Sequence, residues 1–207
     1  MDRVKIVKKD GKFIVLYGPN NLGKSKQFDL LETLWLEIGR PYTRLKYPIY
    51  DSATGQLINR VLRPAPGDEV ISMAEVELQA VFAENRRWFE RTLRQLLSEG
   101  DVLAEDYVGT GLAWGMTSGV SREELDVFNF GLLRPDIEIL LDGVRFSSGI
   151  EKKHRNEGAG QEVWERNRRI HQELAREFGW VTVDANGDPE QVNGRIRDII
   201  LSCKIGE

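Results

Sequence analysis

A glycine-rich run near the beginning of the chain has the residue types and the spacing of a phosphate-binding loop. Residues 18–25 read GPNNLGKS and match the pattern G-x-x-x-x-G-K-[ST]. Gly18 and Gly23 let the backbone curl so that successive amide groups point at a phosphate oxyanion. Lys24 would then reach the terminal phosphates of a nucleotide, and the Ser25 hydroxyl would bind Mg²⁺. A chance match is the alternative, but an apolar run before the motif and a helical pattern after it favour nucleotide binding.

Alternating strands and helices must position this loop. Apolar, β-rich runs predict strands at 13–16, 43–47, 101–105, 136–141 and 180–183, with a further short strand at 3–8. Helical patterns lie between them: one that ends at Gly39, one at 56–62, one from a capping box at Ser72 to Glu99, one capped at Ser121, one at 161–178 and one that begins at Asp188-Pro189. This order predicts one α/β domain over residues 1–207, in which helices cover both faces of a parallel sheet and ligands lie beyond the carboxyl ends of the strands.

The composition excludes several classes of protein. Of the 207 residues, 41% are hydrophobic and 30% charged, which is typical of a folded globular chain. A net charge of −4 provides no overall basic surface for nucleic acid. Cys203 is the only cysteine, so no intrachain disulfide can form. Because no apolar run approaches the length of a membrane span or a signal-peptide core, we expect a cytoplasmic protein without membrane contact.

Five stretches at the expected strand ends carry a resemblance to a known family. They are GPNNLGKSKQ (18–27), KYPIYDSATGQLI (46–58), FAENRRW (82–88), EDYVGTGLAW (105–114) and RPDIEILLD (134–142). In this order they resemble the thymidylate kinase family. The ending WVTVDANGDPEQVNGRI (180–196) extends the resemblance over almost the whole chain.

The resemblance implies a three-layer P-loop NTPase fold with a five-stranded parallel sheet. It also implies ATP–Mg²⁺ as phosphate donor, dTMP as acceptor, dTDP as product and a homodimer. A kinase for another acceptor, either a deoxynucleoside or a different monophosphate, is one alternative, and a nucleotide-binding protein that has lost catalysis is another. Ser25 and Glu105 are expected to organise the metal. The residues expected to bind ATP are Gly18, Asn20, Asn21, Leu22, Gly23, Lys24, Ser25 and Lys26.

The acceptor site is carried over residue by residue. Phe82 matches the aromatic that stacks on the thymine ring, although its spacing with Leu78 also fits a helix core. Arg86 matches the arginine near the base and phosphate, although it could equally belong to a solvated helix face. Trp114 matches an aromatic beside the nucleoside. The expected acceptor-binding residues are Tyr47, Pro48, Tyr50, Phe82, Arg86, Asp106, Tyr107 and Trp114.

Three positions depart from the family pattern. Asn20 replaces a common acidic residue of the phosphate loop, and Tyr50 occupies the place of an arginine that would bind the acceptor phosphate. Asp106 also replaces an arginine, and a carboxylate there would repel a phosphate dianion. Asp106 could organise metal, face the acceptor or turn away. By sequence position, Arg86 is the cation best placed to offset it.

A charged segment at 144–160 is expected to form a mobile lid. Phosphoryl transfer is catalysed by cations around the transferred group, and the phosphate loop contains none between its two glycines. Lys152, Lys153 and Arg155 could supply them once the segment closes, so together with Lys24 they are the predicted catalytic residues. A flexible surface loop is the alternative.

Overall fold

The computed structural model describes residues 11–65, 67, 71–147, 154–156 and 158–203. The strands are β1 (Phe13–Tyr17), β2 (Tyr42–Lys46), β3 (Asp101–Glu105), β4 (Ile137–Asp142) and β5 (Val181–Asp184). The helices are α1 (Lys24–Ile38), α2 (Ala53–Leu62), α3 (Glu75–Glu99), α4 (Val108–Thr117), α5 (Arg122–Asn129), α6 (Gln161–Phe178) and α7 (Pro189–Ser202). The strand predicted at 3–8 lies outside the described residues.

The five strands form one parallel sheet in the order β2-β3-β1-β4-β5. Val15 of β1 lies opposite Ala104 of β3 and Glu138 of β4, so β1 is the central strand. Strands β2 and β3 lie on one side of β1, whereas β4 and β5 lie on the other. A position at which the strand order changes direction opens a crevice at the carboxyl edge of a sheet. The predicted five-stranded α/β fold is confirmed.

Alternation along β1 explains why helices cover both faces. Phe13, Val15 and Tyr17 pack into one apolar cluster with side chains of α3, α4, α5 and α6. Ile14 and Leu16 point the other way, into a second cluster with α1 and α7. A strand that is buried on both faces reads as a continuous apolar run, which is how β1 appears in the sequence. None of the helices in the described part of the chain combines the length and the apolar content of a membrane-spanning helix.

Helix α4 is missing from the sequence-based prediction. Its sequence, VGTGLAWGMT, contains three glycines, each of which disfavours a helix by about 1 kcal/mol relative to alanine. Packing explains at least one of them: a Cβ on Gly111 would lie 2.3 Å from Nη2 of Arg86. The requirement for close approach between α4 and α3 therefore outweighs helix propensity here.

Two helix beginnings differ from the prediction. The capping box predicted at Ser72 is wrong, because α3 begins at Glu75 and its N-cap is Ala74. The side chain of Glu77, three residues after this N-cap, accepts a hydrogen bond from the Ala74 amide at 3.0 Å. Helix α2 begins at Ala53 rather than at residue 56, because Ser52 Oγ caps it by accepting from the Gly55 amide.

Candidate active site

The phosphate loop joins β1 to α1 at the centre of the carboxyl edge. Gly18 has φ 146°, and a Cβ there would lie 2.6 Å from the carbonyl oxygen of Leu141. Gly23 has φ 79° and is the N-cap of α1. Both glycines predicted to curl the loop thus occupy positions that a larger residue would strain.

Two contacts hold the loop from the side of β4 and α6. The indole Nε1 of Trp164 donates to the Asn20 carbonyl at 2.7 Å. The amide of Phe146, which follows β4, donates to the Asn21 carbonyl at 2.9 Å. Both bonds use loop carbonyls. The position of the loop is therefore tied to the beginning of α6.

Lys24 lies inside the loop. Its Nζ donates to the carbonyls of Gly18 at 2.7 Å and Pro19 at 3.2 Å, and its side chain is 6% exposed. Asp106 Oδ1 lies 3.7 Å from the same nitrogen. Without nucleotide, the ammonium group is thus compensated by the loop and by one carboxylate.

Ser25, Glu105 and Lys46 form a chain of contacts beside the loop. Ser25 Oγ lies 3.0 Å from each carboxylate oxygen of Glu105, and Lys46 Nζ donates to Glu105 Oε1 at 2.9 Å. Burial by itself would lower the pKa of Lys46, but the charge and hydrogen bond of Glu105 outweigh it and raise that pKa. A hydroxyl and a carboxylate are ligands that Mg²⁺ accepts. Among the described residues, no group of three or more histidine, cysteine or acidic side chains could hold a metal ion.

Asp106 follows β3 with an unusual backbone conformation. Its φ is 63°, and Thr110 Oγ1 donates to its Oδ1 at 2.8 Å. Burial raises its pKa, and the nearby charge of Lys24 opposes that increase. The expectation that Arg86 offsets this carboxylate is wrong, since the ion pair is made with Lys24, which the fold brings closer.

One cleft brings the predicted residues together. It has a volume of about 260 Å³ and extends from the phosphate loop to the first turns of α3. From the loop and the expected metal pair, it is lined by Asn20, Asn21, Gly23, Lys24, Ser25, Lys26 and Glu105. From the expected acceptor site, it is lined by Tyr47, Pro48, Tyr50, Phe82, Arg86, Asp106, Tyr107 and Trp114. Leu22 is buried in the loop and does not line the cleft.

Two buried tyrosines form one wall of this cleft. The rings of Tyr47 and Tyr107 lie 4.9 Å apart, and the peptide bond before Pro48 is cis. Burial raises the pKa of both phenols well above the ordinary value, so both stay neutral. Neither hydroxyl has a hydrogen-bond partner among the described residues. They are therefore two neutral, buried polar groups whose hydrogen-bonding capacity no described residue uses.

The solvated-face alternative for Arg86 is wrong, and the helix-core alternative for Phe82 applies in part. Arg86 is 4% exposed and donates to Asn129 Oδ1 at 2.8 Å, so it does not belong to a solvated face. Burial lowers its pKa. Phe82 packs against the cluster of Ile58 and Leu78 and also lines the cleft, so its ring takes part in the core and in the site.

The lid segment is described only in part. Lys152 and Lys153 lie outside the described residues. The guanidinium of Arg155 pairs with Glu75 at 2.8 Å, and its amide donates to the Leu62 carbonyl at 2.9 Å. Arg155 therefore joins the end of α2 to the beginning of α3 and does not lie beside the phosphate loop. A catalytic role for these three cations stays a prediction.

Several cleft residues were not identified from the sequence. Lys46 directly precedes Tyr47, and its place at the end of a strand could have singled it out. Arg63 donates to the Tyr50 hydroxyl at 2.9 Å, a contact between distant residues that no local pattern shows. Asn85 fixes the loop after β2, since its amide group bonds both the amide and the carbonyl of Ile49. Further lining residues are Gln79, His154 and Asn156.

The chain is similar in sequence to several thymidylate kinases. No family model matches the chain. A thymidylate kinase of Arabidopsis thaliana is 27% identical over 203 residues, which cover 94% of this chain and 73% of that protein. A thymidylate kinase of Schizosaccharomyces pombe (strain 972 / ATCC 24843) is 24% identical, with 95% of each chain covered.

One solved structure and a third relative are also similar to this chain. The structure of thymidylate kinase from Candida albicans matches with a TM-score of 0.79 and 20% identity, covering 94% of this chain and 93% of that one, which supports the fold. A thymidylate kinase of Leifsonia xyli subsp. xyli (strain CTCB07) is 30% identical over 200 residues, covering 90% of this chain and 93% of that protein. Because a relative of this identity is matched over nearly its whole length, the chain belongs to the thymidylate kinase family.

Proposed function

We propose that the chain transfers the γ-phosphate of ATP to dTMP and so forms dTDP. The observation that supports this is one shared cleft, in which a phosphate loop and a set of aromatic and polar acceptor residues face the same space. An oxygen of the acceptor attacks the γ-phosphorus. The bond between the γ-phosphorus and the bridging oxygen of the β-phosphate breaks at the same time, and ADP leaves. The proposal treats residues 1–207 as one kinase domain with a lid at about 144–160.

At the donor end, the loop from Gly18 to Lys26 binds the triphosphate. Lys24 turns from the loop carbonyls to the β- and γ-phosphates and neutralises the charge that develops there. Ser25 and Glu105 would hold Mg²⁺, since their oxygens already lie 3.0 Å apart at the edge of the cleft. When bound, this ion supplies charge neutralisation to the triphosphate. After closure, Lys152 and Lys153 would add further positive charge.

At the acceptor end, the aromatic side chains hold the nucleoside. Phe82 and Trp114 offer flat apolar surfaces for the thymine ring, and the largely buried Arg86 also lines the cleft. The free hydroxyls of Tyr47 and Tyr107 offer neutral hydrogen-bonding groups. A small neutral base and its sugar match this combination of apolar walls and few polar groups.

A panel of acceptors tests the proposal. ATP–Mg²⁺ would be incubated with dTMP, thymidine, dUMP or AMP, and ADP release would be measured, with Lys24→Met as the inactive control. We expect ADP release with dTMP above every other acceptor. Release with thymidine but not with dTMP would instead favour a deoxynucleoside kinase, an alternative motivated by the carboxylate of Asp106 in the cleft. Release with none would contradict a kinase function.

We further propose a homodimer that forms through α3 and α5. Trp88 on α3 and Val127 on α5 are exposed, and Phe130 directly after α5 is 82% exposed. Arg87 donates to the carbonyls of Phe128 and Phe130 and so keeps these two elements together. Light scattering coupled to gel filtration should give twice the chain mass, and Phe130→Ser should reduce that mass. A monomeric wild-type chain would contradict this proposal.

A further inference from the structure

Lys46 is an exposed cation that lines the cleft. It is the last residue of β2, its side chain is 55% exposed, and its Nζ donates to Glu105 Oε1 at 2.9 Å. Glu105 in turn is only 6% exposed and also accepts from Ser25. One buried carboxylate thus connects the loop residue expected at the metal with a lysine that faces the cleft.

Of the other described cations that line the cleft, Lys26 follows the phosphate loop and is assigned to the donor end, whereas the remaining three have partners. Lys24 binds the loop carbonyls and Asp106. Arg86 is buried and donates to Asn129. Arg63 contacts the ring and the hydroxyl of Tyr50. The acceptor phosphate must lie between the loop and the aromatic residues, and Lys46 lines the cleft at the end of β2 with more than half of its side chain exposed.

The shared carboxylate links the two ends of the cleft. Glu105 contacts both Ser25 and Lys46, so any partner that draws its oxygens toward Ser25 weakens its hold on Lys46. A phosphate dianion is then the stronger partner for the released ammonium group.

We propose that Lys46 is the ligand of the acceptor phosphate, and that donor binding transfers it from Glu105 to that phosphate. This inference rests on the proposed function, since it assumes a monophosphate acceptor and ATP–Mg²⁺ as donor. It predicts that donor and acceptor bind cooperatively. It also predicts that recognition of the phosphate, and not of the nucleoside, depends on Lys46.

Calorimetric binding of dTMP and of thymidine, with and without Mg²⁺ and a non-hydrolysable ATP analogue, tests the inference. Lys46→Met should weaken dTMP binding by about tenfold or more and leave thymidine binding within about twofold. The ATP analogue should tighten dTMP binding in the wild type and not in Lys46→Met. Lys46→Arg should restore dTMP binding because it retains the cation. Arg44→Met is the matched control, because Arg44 lies on the same strand but pairs with Asp29 outside the cleft.

The outcomes separate this inference from the function itself. Unchanged dTMP binding in Lys46→Met would overturn it, as would an equal loss for dTMP and thymidine, which indicates a structural role. If Lys46→Met fails to unfold cooperatively, Lys46→Gln provides the same comparison. Failure of the wild type to phosphorylate dTMP in the acceptor panel would contradict the function, whereas normal turnover with unaltered binding in the variant would contradict only the role of Lys46.

Discussion

Replacement of Asp106 by asparagine should tighten ATP binding. Asp106 Oδ1 lies 3.7 Å from Lys24 Nζ, and two unit charges at this distance attract by about 4 kcal/mol at an effective dielectric constant of about 20. A nucleotide must compete with that attraction to obtain Lys24. Asparagine tolerates the positive φ and can keep the hydrogen bond from Thr110, so the substitution removes the charge and little else.

The size of the effect follows from the geometry. A phosphate oxygen that contacts Lys24 at about 3 Å would lie about 6–7 Å from the carboxylate of Asp106. At that distance, the repulsion between unit charges is about 0.6–2.5 kcal/mol for dielectric constants between about 80 and 20. Loss of the carboxylate should therefore lower the Kd of ATP by roughly 3- to 70-fold.

Titration calorimetry with ATP–Mg²⁺ in the absence of acceptor measures this effect. Asp126→Asn is the matched control, because Asp126 is an exposed carboxylate on α5 that pairs with Arg122 away from the cleft. In a Lys24→Met background, Asp106→Asn should still tighten ATP binding, because the repulsion between its carboxylate and the phosphate does not require Lys24, and only the competition for the ammonium group is lost. An unchanged or higher ATP Kd in folded Asp106→Asn would refute the reasoning.

Three other expectations can be tested independently. Lys24→Ala should lower kcat by at least about 100-fold without a change in circular dichroism, because the loop loses its cation, and near-normal turnover would contradict the phosphate-binding role. Arg155→Gln should raise the KM for dTMP by about two- to fivefold and leave that for ATP unchanged, because the half-exposed ion pair with Glu75 joins α2 to α3 at the acceptor end. Glu75→Gln should raise the KM for dTMP by a similar factor in the same kinetic assay. A decrease in Arg155→Gln that is confined to kcat would instead support a catalytic role for this cation. Burial lowers the pKa of His171 from its ordinary 6.5 to about 3, so between these values the unfolded chain binds more protons. The contribution of His171 to the free energy of unfolding is therefore fully present above about pH 6.5, and it falls with decreasing pH, by about 2 kcal/mol at pH 5. Urea titrations of His171→Gln should show a flatter pH dependence of this free energy than those of the wild type. An equal slope in the two proteins would contradict this assignment.

Local features of the site could be predicted from the sequence. The phosphate loop is contiguous, and each of its special residues has a local cause, such as the positive φ of Gly23 before α1. Strand β1 was predictable because a strand that is buried on both faces is apolar throughout. The capping box at Ser121 and the proline at the first turn of α7 are likewise local signals, and both are confirmed.

Pairings between distant residues could not be predicted in this way. Asp106 follows Glu105 in the chain, yet one carboxylate contacts Lys24 and the other contacts Ser25 and Lys46. Which cation pairs with which carboxylate depends on the strand order and on the direction of the side chains. The spacing of residues along the sequence shows neither of these. Helix α4 escaped prediction for a similar reason, because its glycines are required by a neighbouring helix.

The positions of the tryptophans provide the chain with separate optical reporters for the two ends of the cleft. Trp164 is buried with its indole nitrogen bonded to the phosphate loop, whereas Trp114 lines the acceptor end. Indole emission responds to the polarity and hydrogen bonding of its surroundings. Because Trp35, Trp88 and Trp180 also emit, separate replacement of Trp164 and of Trp114 would assign the emission changes on donor and acceptor arrival to the two ends of the cleft, without any attached label.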